Sequence, residues 1–161
     1  MPTQIRLALP SKGRMEEETL NFLKNCGLRV NKRNPRQYTA TVPALPDVQV
    51  VFQRAWDVPM SVAAGDIDLG ITGFDGLSEM LADRPDDVVV IHDALGYGEC
   101  SLVLAVPYDW DDVNRVEDLA RRSSADQPLR VATKYAKTTA RFLERSGVEG
   151  VRVVKADGAL E

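Results

Sequence analysis

The stretch "IRLALPSKGRMEEETLNFLKNCG", residues 5–27, decides how this chain is read. Its first six residues make an apolar run closed by Pro10, the pattern of a buried strand. Over residues 15–26 the apolar side chains return at helical spacing, with Met15, Leu20, Phe22 and Leu23 on the inner face. Gly27 stands where the helix stops. Between strand and helix lies a small basic turn, Ser11-Lys12-Gly13-Arg14. A strand that passes through a turn straight into a helix is the building unit of an α/β sheet. The turn has two readings: Lys12 and Arg14 hold an anion, or they decorate a surface.

The alternation continues outward from this unit. Residues 28–30 read as a short strand and 38–42 as a longer one. Residues 48–53 read as a strand after a turn at Pro46-Asp47. Residues 55–64 form a short helix with Pro59 in its first turns, where proline is tolerated. Residues 67–72 are strand-like, and Gly73 turns the chain into a helix over 75–82. Further strands are expected at 88–92, 101–106, 129–133 and 151–154. Helices are expected at 113–122, followed by a polar surface loop, and at 138–146, closed by Gly147.

Composition bounds the function. A chain of 161 residues is one domain or two small lobes, and 44% apolar residues suffice for a core. A net charge of −4 argues against a general nucleic-acid binder, so an anion site must be a local basic cluster. Cys26 and Cys100 fit no metal or redox spacing. The start lacks the apolar core of a signal peptide, and no apolar run approaches the ~18 residues of a membrane span. The expectation is a cytoplasmic protein with reduced thiols and no membrane partner.

Three strand ends are alike: "LALPSKGR", "IDLGITGFDG" and "LRVATKYAKTT". Each runs from an apolar segment through small or polar residues into a helix, the place where open α/β sheets bind anionic ligands. Lys12, Arg14, Lys134 and Lys137 fall there, and Thr72, Thr133, Thr138 and Thr139 add hydroxyls for phosphate oxygens. Arg54 is an anion ligand or a salt-bridge partner, and Asp57 an N-cap. Asp68, inside an apolar run, is expected to accept hydrogen bonds from a ribose or from Arg54. Tyr97, between two glycines, suits a hinge, a wall for a flat base, or a plain loop. Cys100 reads as a small buried hydrophobe and His92 as a structural residue within a strand. Glu16-Glu17-Glu18 and Asp111-Asp112 read as solvated helix starts. Walker, GxGxxG and zinc patterns are absent.

With these loops in hand, the sequence resembles the ATP phosphoribosyltransferase family, which begins histidine biosynthesis. "LALPSKGRMEEETLNFLKNCGL", "RNPRQYTATVPALPDVQVVFQRAWDVP", "GDIDLGITGFDGL", "LGYGECSLVLAVP" and "LRVATKYAKTTARFLERSGV" carry the resemblance over nearly the whole chain. It implies a two-lobed α/β fold of the periplasmic-binding-protein (type II) kind, with lobes at residues 1–95 and 96–161. The reaction joins N1 of ATP's adenine to C1 of phosphoribosyl pyrophosphate, releasing pyrophosphate with Mg²⁺ present. Carried over by position, Lys12, Arg14 and Arg54 face the phosphates beside Ser11 and Gly13. Asp68, Thr72 and Gly73 lie on the nucleotide side, Tyr97, Gly98 and Cys100 where the chain crosses between lobes, and Thr133, Lys134 and Tyr135 at a strand end of the second lobe. No residue is implied as a metal ligand. A homo-oligomer is implied, with a regulatory subunit resembling histidyl-tRNA synthetase if the chain is of the family's short form.

After "ADGALE" the family continues into a Thr/Gly-rich stretch of the type "TGxTLRxNGL" that grips the donor's 5-phosphate, and into strands that return to the first lobe. Neither is found in residues 1–161. The second lobe and the return strands are therefore expected to be incomplete, and the chain alone to release no pyrophosphate. The alternative is a non-catalytic cytosolic module of the same fold that binds a nucleotide or small anion.

Overall fold

The computed structural model describes residues 4–34, 36–124 and 126–156. Contacts divide the chain into two compact units, Met1–Glu99 and Cys100–Glu161.

The first unit is built on β1 (Ile5–Pro10). Ala8, Leu9 and Pro10 are buried, as befits a strand covered on both faces. Helix α1 (Gly13–Asn25) follows, then the antiparallel hairpin β2 (Thr39–Val42) and β3 (Leu45–Gln53), helix α2 (Val58–Ala63), β4 (Leu69–Gly70) and helix α3 (Phe74–Met80). The sheet order is β2-β3-β1-β4, with β1 parallel to both β3 and β4. Side chains alternate across the sheet. Leu9, Val50 and Phe52 face α1 and its Leu20 and Leu23, whereas Ala8 and Val51 face Val58 and Val62 of α2. Past the end of α1, the Gly27 N–H reaches the Lys24 carbonyl at 3.0 Å and Leu28 N–H the Leu23 carbonyl at 2.8 Å, so the last carbonyls of the helix are satisfied.

The second unit pairs β5 (Leu129–Thr133) in parallel with β6 (Val151–Lys155), linked by α4 (Ala136–Arg145). Leu119, Leu143 and Val148 form its core, with Leu129, Val131 and Val151 packed against them. Asp118 accepts the N–H groups of Asn114 and Arg115, each at 2.9 Å, and pairs with Arg121 at 3.0 Å, holding the 3₁₀ helix Val116–Arg122.

Several expectations need correction. The hairpin turns at Pro43-Ala44 and not at Pro46-Asp47, because Val42 pairs with Leu45 and Pro46 falls inside the strand. Residues 28–30 form no strand; only Asn31 bridges Thr41. The strand expected at 67–72 is reduced to two residues paired with β1, and the helix at 113–122 to the 3₁₀ segment Val116–Arg122. Asp112 is exposed but starts no helix, since the 3₁₀ segment begins at Val116; it pairs with Arg122, whose guanidinium lies 4.4 Å from the Trp110 ring centre. Helix α4 begins two residues early, at Ala136, so Thr138 is its third residue and not its first.

The largest departure concerns residues 88–92 and 101–106, which form no strand. A strand exists only where a neighbour satisfies its N–H and C=O groups, and among the described residues these two runs pair with none. His92 is thus outside any strand, its ring nitrogen accepting the Ala94 N–H at 3.3 Å. Val89, Ile91 and Val103 are exposed by 80%, 82% and 84%. Apolar surface of this extent seeks cover. The 161-residue chain should therefore bind a hydrophobic dye at neutral pH and self-associate at high concentration. The double substitution Ile91→Asp, Val103→Asp should reduce both, as read by dye fluorescence and light scattering.

Candidate functional site

The site of the first unit follows from its topology. Pro10 of β1 and Gln53 of β3 are register partners, and Ser11 N–H donates to the Gln53 carbonyl at 2.7 Å, so the two strands end side by side. From there the chains part. The turn after β1 leads to α1 on one face of the sheet; the turn after β3 leads to α2 on the other. Such a divergence opens a crevice beyond the carboxyl ends of parallel strands, the place where α/β sheets take ligands. Its rim carries Ser11, Lys12, Gly13 and Arg14 on one side and Arg54 on the other.

Gly13 has a φ of +72°, a conformation that other residues enter only with strain. Lys12 occupies the N-cap of α1 in an extended conformation, and its side chain does not cap the helix. The first-turn N–H groups of a 13-residue helix are thus open at the rim, where an anion is favoured. Lys12 and Arg54 are exposed and form no ion pair among the described residues. Arg14 is different: its Nε donates to Glu18 Oε1 at 2.8 Å, one helical turn along. The i,i+4 spacing was legible, yet Glu18 reads in sequence as a solvated acid. Glu16 lies in the first turn of α1, half-buried, and pairs with Lys32 at 3.4 Å.

Thr72 does not offer its proton to a ligand. Its hydroxyl donates to the Ala55 carbonyl at 2.6 Å, tying the loop after β4 to the loop after β3. Gly73 follows as the N-cap residue of α3. Asp57 holds the N-cap position of α2 without a side-chain cap.

Asp68 pairs with neither Arg54 nor a buried group. It accepts the Arg6 N–H at 2.7 Å and the Arg6 Nε at 3.2 Å, on an exposed surface. Arg6 was missed because 62 residues separate the two and no local pattern connects them. These hydrogen bonds hold the Asp68 carboxyl below its ordinary pKa. A depressed carboxylate stabilises the fold above the ordinary aspartate range and loses that contribution as pH falls through the lowered pKa. Between pH 5 and 2, as order-of-magnitude bounds around the ordinary value of about 3.9, the urea midpoint of wild type should fall more steeply than that of Asp68→Asn.

Tyr97 and Gly98 lie against α1. The Tyr97 and Thr19 hydroxyls share a hydrogen bond of 2.9 Å, and the Tyr97 ring centre is 5.7 Å from that of Phe22. The plain-loop reading of Tyr97 is therefore replaced by a packed one. Cys100 is exposed and not a buried hydrophobe, because the run it opens has no covering layer.

In the second unit, Thr133, Lys134 and Tyr135 sit at the carboxyl end of β5. Thr133 Oγ1 accepts the Tyr135 N–H at 3.0 Å, Tyr135 is buried as the N-cap residue of α4, and the Lys134 ammonium lies 5.0 Å from its ring centre. Among the described residues no three His, Cys, Asp or Glu side chains converge as a metal site. No helix among them is long and apolar enough to cross a membrane.

Residues 54–161 match the family model of HisG, ATP phosphoribosyltransferase. ATP phosphoribosyltransferase 1, chloroplastic, from Arabidopsis thaliana is 43% identical over 162 residues, covering 98% of this chain and 39% of the relative. ATP phosphoribosyltransferase of Rhodopseudomonas palustris is 36% identical over 167 residues, covering all of this chain and 51% of the relative. Against these curated relatives the chain thus spans about two fifths to one half of their length. A chain in the ATP phosphoribosyl transferase (HisG:HisZ) complex from Thermotoga maritima shares the fold, with a TM-score of 0.57 at 20% identity. That match covers 97% of this chain and 66% of the other.

Proposed function

Since this chain belongs to the ATP phosphoribosyltransferase family, we propose that it takes part in transfer of phosphoribosyl from phosphoribosyl pyrophosphate to N1 of ATP, the opening step of histidine biosynthesis. The observation that carries the reading is the parting of β1 and β3, with Lys12, Arg14 and Arg54 in the turns that follow the two strand ends, beside the start of α1. Polyphosphate oxygens are the ligands such a rim selects. Arginine and lysine form charge-assisted hydrogen bonds to them, and the open N–H groups of α1 add to the field.

In this mechanism the protein needs no nucleophile of its own. The adenine nitrogen displaces pyrophosphate at C1, negative charge grows on the leaving group, and fixed cations stabilise it. Holding the adenine nitrogen in line with C1 supplies much of the remaining acceleration. Lys12 and Arg54 meet the phosphates directly. Arg14 joins them on releasing Glu18, or else serves to orient the turn. The Ser11 hydroxyl and the Gly13 N–H are the turn's further donors, since the Ser11 N–H is taken by Gln53, and Gly73 lets the chain pass close to the nucleotide. Thr133, Lys134 and Tyr135 form the corresponding strand end of the second unit.

Mg²⁺ belongs to this proposal as an ion carried on the pyrophosphate oxygens, the usual way magnesium enters phosphate chemistry. We read the two units as lobes of a periplasmic-binding-protein-like fold. The assembly we favour is a cytoplasmic homo-oligomer, with a HisZ-like regulatory partner as in the Thermotoga complex.

Calorimetric titration of ATP, adenosine and phosphoribosyl pyrophosphate into the purified chain tests the reading. ATP should bind with adenosine far weaker. Failure of both ATP and the donor to bind, or equal binding of adenosine and ATP, would overturn it.

A further inference from the structure

We propose that Tyr97 is a positioning residue: by fastening the Gly96-Tyr97-Gly98 segment to α1, it sets the basic turn at the start of that helix for anion binding. The inference rests on the reading above that this turn holds polyphosphate.

Three points of contact make the fastening. The Tyr97 hydroxyl meets Thr19 Oγ1 at 2.9 Å, and Thr19 is completely buried. The Tyr97 ring packs on Phe22 with centres 5.7 Å apart. Met15 lies so close to Gly98 that a Cβ there would stand 2.8 Å from its sulfur. Met15, Thr19 and Phe22 are spaced i, i+4, i+7, so they form one stripe along α1. Leu20 and Leu23, on the neighbouring stripe, take the sheet. The helix thus meets the sheet through Leu20 and Leu23 and the Gly96–Gly98 segment through Met15 and Thr19, with Phe22 in contact with both. Arg14 and Lys12 directly precede the topmost contact, Met15.

Polar groups extend the link. Glu18, next to Thr19, receives Arg14. Burial raises the Tyr97 pKa, with the Thr19 contact working against that rise and the Glu18 charge adding to it, and either hydroxyl of the pair can donate. Tyr97 lies two residues before the end of the first unit, so the chain leaving that unit is tethered to the helix that carries the basic turn.

Two readouts test this with Tyr97→Phe, Thr19→Val and Thr19→Ser, each first checked for native circular dichroism. Amide hydrogen exchange over residues 96–99 follows the fastening, and ATP calorimetry follows its consequence. Tyr97→Phe and Thr19→Val should each speed exchange at least about fivefold and weaken ATP at least about threefold, the scale of one buried hydrogen bond. Thr19→Ser, which keeps the hydroxyl, should restore both. Unchanged exchange in Tyr97→Phe and Thr19→Val overturns the fastening, whatever ATP does. Faster exchange with unchanged ATP affinity overturns the positioning role, as does a serine variant no better than valine. If wild type binds no ATP, the functional reading fails while the exchange arm still decides the fastening.

Discussion

Reversing both unpaired cations at the rim, Lys12→Glu with Arg54→Glu, should weaken ATP binding about 100-fold or more and leave the fold intact. Each charge-assisted hydrogen bond to a phosphate contributes about 1.5–3 kcal/mol, and about 1.4 kcal/mol is a factor of ten in affinity. Two lost contacts thus account for about 3 kcal/mol at the least, and the introduced carboxylates repel the ligand besides. Both side chains are exposed and form no ion pair among the described residues, so their replacement breaks nothing within the unit. Surface changes of this kind shift stability by about 0.5 kcal/mol or less. Arg14→Glu should act differently. It places a second carboxylate beside Glu18 and disturbs the helix start as well as the ligand. Calorimetry with unfolding curves separates the two effects: affinity falls alone in the double variant, and together with stability in Arg14→Glu.

The second large effect is expected at Gly70. A Cβ built there stands 2.3 Å from Val58 Cγ1 and 3.3 Å from Val62 Cγ2, both on α2. Val58 is 1% exposed and packed among Ala8, Ile67 and its neighbours, so it cannot swing away. Helix and strand would have to separate. Overpacking typically costs about 1–3 kcal/mol, and Gly70→Ala should lie at the top of that range, with Gly70→Val beyond it. That is a large share of the roughly 5–15 kcal/mol that hold a domain folded. The two tryptophans make the effect local. Trp56 is in the first unit and Trp110 in the second. Urea unfolding followed in a Trp110→Phe background should show the first unit weakened by Gly70→Ala. In a Trp56→Phe background the Trp110 transition should move less.

Gly70 also shows what a linear sequence conveys and what it withholds. In "IDLGITG" Gly70 is one small residue within a strand-like run. The reason for it, the approach of α2, exists only once β4 and α2 are folded together. Elements whose signal is local were legible to within a residue or two: β1 from its apolar run, α1 from its period and its glycine stop, β5 and α4 from the same two cues. Residues 88–92 and 101–106 carry an equally strong apolar signal and form no strand, because apolarity proposes a strand and only a partner makes one. At the site, the basic turn and Arg54 were visible as residue types at strand ends. What each side chain does was not. Thr72 donates to Ala55, Asp68 accepts from Arg6, and Tyr97 meets Thr19, over separations of 17, 62 and 78 residues. Pairings of that range come from sheet order and helix placement, which no short window of sequence contains.

The central claim is that ATP is held where β1 and β3 part. Amide chemical-shift mapping of the ¹⁵N-labelled chain during ATP titration tests it most directly. Saturable shifts concentrated on residues 11–15, 54–57 and 71–73 are the predicted result. Shifts confined to the second unit, or spread without saturation over the exposed runs at 88–92 and 101–106, would contradict it.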